Sequence, residues 1–239
     1  MNSPRGEDQT HRSIVSYVRR SPRMTPSQHR WWQTHSPQWV LQVTSTPRIT
    51  LIGPQAHLDL EFVFGRGAPL IIEIGCGHGE TLIRAAQAHP EVNFLGFEVF
   101  EASLATTLGK IASHNLNNIR LICGDAVTGL THLIPNHAAE EIWVFFPDPW
   151  PKARHHKRRL INHDFVDLTK AKLDSTGTLR IATDWENYAR SIKETFTGVS
   201  GFELVGTTRF ALRPLTKFES RGIAAGRAIV DLTYQKSPS

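Results

Sequence analysis

The sequence predicts an α/β fold: a doubly wound, mostly parallel sheet with an antiparallel C-terminal edge, preceded by a basic N-terminal arm. Three observations predict it. From residue 69 onward, short apolar runs alternate with segments of helical period. Four successive runs end in, or are closely followed by, an acid: Glu73, Glu98, Asp125 and Asp148. The last two β-rich runs follow one another with no helical pattern between them, as a closing hairpin would.

The elements follow in order. Residues 1–12 are polar and unpatterned, a composition that cannot bury a core. Residues 13–48 mix Arg, Ser, Pro and Gln with Trp31, Trp32 and Trp39, without a clean period. The predicted division is an arm over 1–48 and a domain over 49–239. Pro69–Ile74 is a buried strand ending in glycines, Glu80–His89 a helix, and Asn93–Val99 a second strand. Phe100–His114 reads as a helix weakened by Gly109. Ile119–Cys123 and Glu141–Phe146 are the third and fourth strands, with Trp143 and Phe145 expected in the core. Leu160–Leu173 is amphipathic, Thr178–Thr183 is the fifth strand, and Trp185–Phe196 is a helix. Phe202–Val205 and Ala228–Tyr234 complete the sheet.

Composition narrows the function. No run approaches the roughly 18 apolar residues of a membrane span, and no apolar leader follows the first residues, so the expectation is a cytoplasmic protein. Two cysteines, Cys76 and Cys123, are too few for a disulfide framework and read as small buried side chains. The twelve histidines show no metal-ligand spacing, so no metal is expected. The net charge is +5, and its placement is uneven: residues 1–48 hold seven Arg and two acids, while the rest is balanced at twenty of each sign. A basic arm on a neutral domain suits a polyanion partner. Its aromatics would stack on bases, pack the arm onto its own domain, or do both.

In a doubly wound sheet, ligands bind beyond the carboxyl ends of the strands, where the four acids lie. The first turn reads Glu73-Ile74-Gly75-Cys76-Gly77-His78-Gly79. A pyrophosphate seat would space its glycines G-x-G-x-x-G, and an acid there would repel it. That acid suits a cationic ligand, and S-adenosylmethionine carries both a sulfonium and an ammonium. Glu98 stands about 20 residues past the glycines, where an acid meets ribose hydroxyls. Asp125 is placed to accept from an adenine amino group. These residues leave the methyl acceptor open: a small molecule or a protein remains possible, as does an RNA-binding chain without turnover. A nicotinamide dehydrogenase fails on the glycine spacing.

Pro147-Asp148-Pro149-Trp150-Pro151 is a stiff turn, since each proline fixes φ. Directly after it, Lys152 to Arg159 carries five Lys/Arg, two His and no acid in eight residues. A basic run fused to a rigid acid places an anionic polymer over the ligand site.

This stretch resembles the signature of the bacterial tRNA (guanine-N7)-methyltransferases, a family of class I S-adenosylmethionine-dependent enzymes with a Rossmann-like fold. The likeness extends to Thr183-Asp184-Trp185-Glu186-Asn187-Tyr188-Ala189, to Thr216-Lys217-Phe218-Glu219-Ser220-Arg221-Gly222, and to the segment from Val18-Arg19-Arg20 to Gln28. It spans roughly residues 16–236. The resemblance implies methyl transfer to guanine N7 at position 46 of tRNA, with no obligate protein partner, by a monomer or homodimer. It implies that Glu73, Gly75, Gly77, Glu98 and Asp125 hold S-adenosylmethionine, with Asp148 as the catalytic or cofactor-adjacent acid. Lys152, Asp184, Thr216, Lys217, Phe218 and Glu219 would contact substrate. Arg154, His155, His156, Lys157, Arg158 and Arg159 would contact the RNA.

Overall fold

A computed structural model describes residues 16–17, 23–43 and 50–237, and only the backbone of Lys217 and Phe218. The calls on residues 1–15 and on the basic segment Val18 to Pro22 lie outside the described residues. Seven strands form one sheet: β1 (Leu70–Ile74), β2 (Asn93–Glu98), β3 (Ile119–Cys123), β4 (Ala139–Phe145), β5 (Leu173–Thr183), β6 (Phe202–Gly206) and β7 (Val230–Lys236). Their order is β3-β2-β1-β4-β5-β7-β6. All neighbouring pairs are parallel except those made by β7, which runs antiparallel between β5 and β6. The chain winds outward from β1 through β2 to β3, then returns to the other side with β4. The switch point therefore lies between β1 and β4.

The central strands are buried at every residue of β1 and β2. That is why they read as continuous apolar runs rather than alternating ones. Helices cover both faces: α1 (Pro26–Trp39), α2 (Leu60–Phe64), α3 (Glu80–Ala88), α4 (Glu101–Ser113), α5 (Ala126–Leu133), α6 (His163–Lys172), α7 (Glu186–Phe196) and α8 (Lys217–Ala224). Trp143 is fully buried and Phe145 lies in the core, as expected. No helix among the described residues is long and apolar enough to cross a membrane.

Two expectations are corrected. The late strands do have a helix between them: α8 starts at Thr216, whose side chain accepts from the Glu219 amide. The sequence there is short and strongly polar, so its period was overshadowed by its neighbours. The amphipathic stretch from Leu160 is helical only from His163. Asn162 caps it by accepting from the Phe165 amide, leaving Leu160 and Ile161 as buried non-helical chain.

Within the arm, α1 was not anticipated. It is started by a capping box, in which the Thr25 side chain accepts from the Gln28 amide and Gln28 accepts from the Thr25 amide, with proline in the first turn. The helix packs on α4. The Trp39 indole is buried and donates to the Leu116 carbonyl at 3.1 Å. Trp31 lies on Gly109, where a Cβ would come within 2.7 Å of the ring. Gly109, which weakened the helix in the sequence, is the notch that admits the indole. Trp31 and Trp39 thus pack the arm onto its own domain, one of the two compatible roles open to its aromatics.

Candidate active site

The site begins at the β1–α3 turn. Gly75, Gly77 and Gly79 all take positive φ (72°, 54° and 71°), a path that L side chains rarely follow. The turn hangs on β2, because the amides of Gly75 and Cys76 both donate to the Phe97 carbonyl, at 2.8 and 3.1 Å. Glu98 completes that tie. Its Oε2 accepts from the Gly77 amide at 3.0 Å, and its Oε1 accepts from the amides of Val99 and Phe100 at 2.7 and 3.1 Å. Oε1 is thereby saturated, while Oε2 keeps one lone pair for a ligand hydroxyl. Burial raises the Glu98 pKa, the three amides oppose that shift, and the nearby Asp148 carboxylate adds to it.

Glu73 is different. Its side chain is 4% exposed, and Oε2 is buried with no hydrogen-bond partner among the described residues. Burial first, then the Glu80 and Glu98 carboxylates, push its pKa up to about 8. A buried acceptor without a donor is costly.

Asp125 caps α5, its Oδ1 accepting from the Thr128 amide at 2.8 Å. It also lines a cavity with Gly75, Glu98, Asp148 and Leu160. A second lobe is lined by Glu73, Gly77, Ser103, Arg213, Thr216 and Arg221. The lobes share Gly75, Phe145 and Phe146, and so form one cleft at the switch point. The structure brings Glu73, Gly75, Gly77, Glu98, Asp125, Asp148 and Thr216 together at this cleft.

The β4 turn is built on strain. Phe146 and Trp150, neither a glycine, sit at φ 54° and 43° on either side of Pro147-Asp148-Pro149. Such backbone persists only where the surroundings hold it. The Trp150 indole donates to the Ser16 carbonyl at 2.9 Å, and the Arg158 guanidinium lies 3.8 Å over its ring. His155 meets it edge-on. Trp150 is thus a wedge inside the turn rather than a free stacking platform.

The basic run folds as a 3-10 helix, Ala153–Arg158, opened by Lys152. Lys152, Arg154 and Lys157 are exposed; His155, His156 and Arg158 are half-buried. Partial desolvation and the surrounding cations hold His155 below the ordinary imidazole range. Arg159 departs from the run. It is 5% exposed, and its guanidinium is committed to the protein interior.

Two other predicted substrate residues are also engaged internally. Asp184 forms an ion pair with Arg227 at 2.8 Å. Glu219 is buried between Arg213 at 2.7 Å and Arg209 at 2.9 Å, and Arg213 in turn pairs with Asp231 at 2.8 Å. This network fastens α8 to β7 along one wall of the cleft. The calls on the Lys217 and Phe218 side chains lie outside the described residues. Sequence reasoning missed Ser16, Tyr17, Arg213 and Arg221 as cleft residues. Arg221 lies in the Thr216–Gly222 segment that carries the family resemblance, and Arg213 is set three residues before the α8 cap.

The profile of a family described as putative methyltransferase matches residues 67–232. A tRNA (guanine-N(7)-)-methyltransferase from Cutibacterium acnes is 42% identical, with 97% of this chain and 86% of that protein covered. One from Nitrosococcus oceani is 41% identical, covering 98% of this chain and 95% of that protein. Among solved structures, the 16S rRNA methyltransferase KamB matches with a TM-score of 0.57 at 14% identity, over 79% of this chain and 99% of that one. TrmN from Thermus thermophilus matches at 0.52 and 17%, over 74% and 46%. These two support the fold alone. On its motifs, its cleft and its near-full-length relatives, the chain belongs to the tRNA (guanine-N7)-methyltransferase family.

Proposed function

We propose that this chain methylates N7 of a guanine in tRNA, at position 46 of the variable loop, with S-adenosylmethionine as donor. The observation that carries the reading is the convergence of Glu73, Glu98, Asp125 and Asp148 on one cleft at the β1–β4 switch point, with a basic rim beginning four residues after Asp148. The relatives named above supply the substrate class.

The residues fit the donor. The unpartnered Glu73 oxygen suits its ammonium, the remaining lone pair on Glu98 suits a ribose hydroxyl, and Asp125 suits the adenine amino group. When bound, S-adenosylmethionine supplies an electrophilic methyl group. Gly75 and Gly77 let the backbone approach it without side-chain bulk.

Guanine N7 is an acceptor with a free lone pair and carries no proton. The chain therefore needs no strong general base. Its work is alignment and charge: the β4 turn orients the base, and the Asp148 carboxylate accepts from guanine N1–H and the 2-amino group and favours the cationic product. Asp148 suits that role better than Asp184, because Asp148 lines the cleft and Asp184 lines neither of its lobes. Lys152, Arg154, His155, His156, Lys157 and Arg158 form the RNA-facing rim, in keeping with a cytoplasmic partner that is a polyanion.

Incubation with S-adenosylmethionine and an unmodified tRNA transcript, followed by chemical cleavage at 7-methylguanosine, tests this. One cleavage site in the variable loop, lost when that guanine is replaced, is the expected result. Transfer to another atom or another loop would refute the position, and no transfer would refute the activity.

A further inference from the structure

We propose that Arg159 is a positioning residue for methyl transfer, clamping the turn that carries Asp148 to helix α7 rather than binding RNA. The proposal rests on the reading of Asp148 given above. Arg159 closes the basic run in sequence, yet its side chain points inward. Nε donates to the Pro149 carbonyl at 3.0 Å and Nη2 donates to Asn187 Oδ1 at 2.6 Å. The guanidinium lies 4.8 Å over the Tyr188 ring. The Tyr188 hydroxyl accepts from the Ile161 amide at 3.0 Å, so α7 holds the chain at Arg159 and again two residues later.

The need for a clamp follows from the turn's covalent geometry. The rings of Pro147 and Pro149 fix φ but leave ψ open. The direction of the Pro149 carbonyl is set by ψ, and that carbonyl is what Arg159 Nε holds. Phe146 and Trp150 flank the same three residues in positive-φ conformations, which relax when their restraints are removed. The clamp thus adds to the restraints that the prolines and Arg158 place on the turn carrying Asp148. Only a planar, forked cation can bond Pro149 and Asn187 in its plane while stacking on Tyr188 with its face. A lysine keeps the charge and loses that arrangement.

The test is a double-mutant cycle on the full chain, with Arg159→Lys, Asp148→Asn and the pair. It reads kcat, KM for tRNA transcript, the affinity for S-adenosylhomocysteine and the salt dependence of tRNA binding. Arg159→Lys should lower kcat between about 10- and 100-fold, as small misplacements do. KM and the affinity for S-adenosylhomocysteine should stay within about twofold, and the salt slope should not change. In the Asp148→Asn background the same substitution should change kcat by less than about twofold, because coupled residues are not additive. A raised KM with kcat kept would make Arg159 a phosphate contact and overturn the proposal. Additive losses would also overturn it, since the route through Asp148 would be gone. Full turnover by Asp148→Asn alone would refute the reading of Asp148, and with it the clamp's target. If Arg159→Lys does not fold, Asn187→Ala removes the Nη2 acceptor. It should lower kcat with KM kept, and an unchanged kcat would overturn the clamp.

Discussion

The turns after β1 and β4 face each other across the switch point and solve opposite problems. The β1 turn reaches positive φ three times with glycine, at little steric cost, and exposes backbone. The β4 turn reaches it twice with aromatic residues, which cost roughly 1–2 kcal/mol each in the left-handed region. A turn that cradles a small ligand needs close approach, so side chains are absent. On the proposed reading the β4 turn presents Asp148 to the substrate and needs a fixed direction, so strain is tolerated and held by prolines, Arg158 and Arg159.

The glycines of the first turn are not equivalent, and this sharpens the contrast. A Cβ on Gly79 would meet Thr107 Cγ2 at 2.4 Å, whereas Gly75 and Gly77 face open space. Gly79→Val should therefore cost roughly 3 kcal/mol or more, from left-handed strain plus overpacking. Gly75→Ala should cost only about 1–2 kcal/mol. Urea melts of the two variants check this, and equal losses would show that the turn senses backbone strain alone.

The next effect is a pH dependence confined to the β1 side. Burial raises the folded pKa of Glu73 to about 8 from an ordinary carboxylate value near 4.5. Its contribution to stability is full below the unfolded value and is lost as pH rises through the folded one. The free protein should thus weaken between about pH 4.5 and 8, and Glu73→Gln should remove that slope. A ligand ammonium needs the ionised form. The affinity for S-adenosylhomocysteine should rise with pH by up to about tenfold per unit below the folded pKa, with a proton released on binding near pH 7. Calorimetry in buffers of different ionisation enthalpy measures that proton. Its absence would mean that the orphaned oxygen does not meet the ammonium.

The smallest expected effect belongs to the β4 side. Arg158→Ala should weaken tRNA binding several-fold and reduce the salt slope by about one ion. An unchanged slope would assign Arg158 an internal role, over Trp150 and on the Tyr17 carbonyl.

The parts of this account legible in the sequence are those carried by local pattern. The strands β1 and β3 are bounded apolar runs, and the four acids stand at or shortly past strand ends. Helix α1 was hidden by its polar composition, although Thr25-Pro26-Ser27-Gln28 is a capping signal. Helix α8 likewise opens on Thr216-Lys217-Phe218-Glu219, a capping sequence in which Glu219 turns to Arg213 and Arg209 instead of back to the cap. What no local pattern discloses is partnership at long range. Arg158 and Arg159 are adjacent and chemically identical, yet one covers Trp150 near the surface and the other is buried against α7. Only the packing of Tyr188 and Asn187 beneath the turn separates them.

The division of labour between the two turns is tested most directly by comparing Glu98→Gln with Asp148→Asn in single-turnover methylation of tRNA across donor concentrations. Glu98→Gln should need more donor to reach half-maximal rate, yet approach the wild-type rate within a few-fold at saturation, as loss of uniform binding does. Asp148→Asn should stay about 100-fold slow or worse at any donor concentration. A defect in Asp148→Asn that saturating donor repairs would contradict the account and make both turns parts of the cofactor site alone.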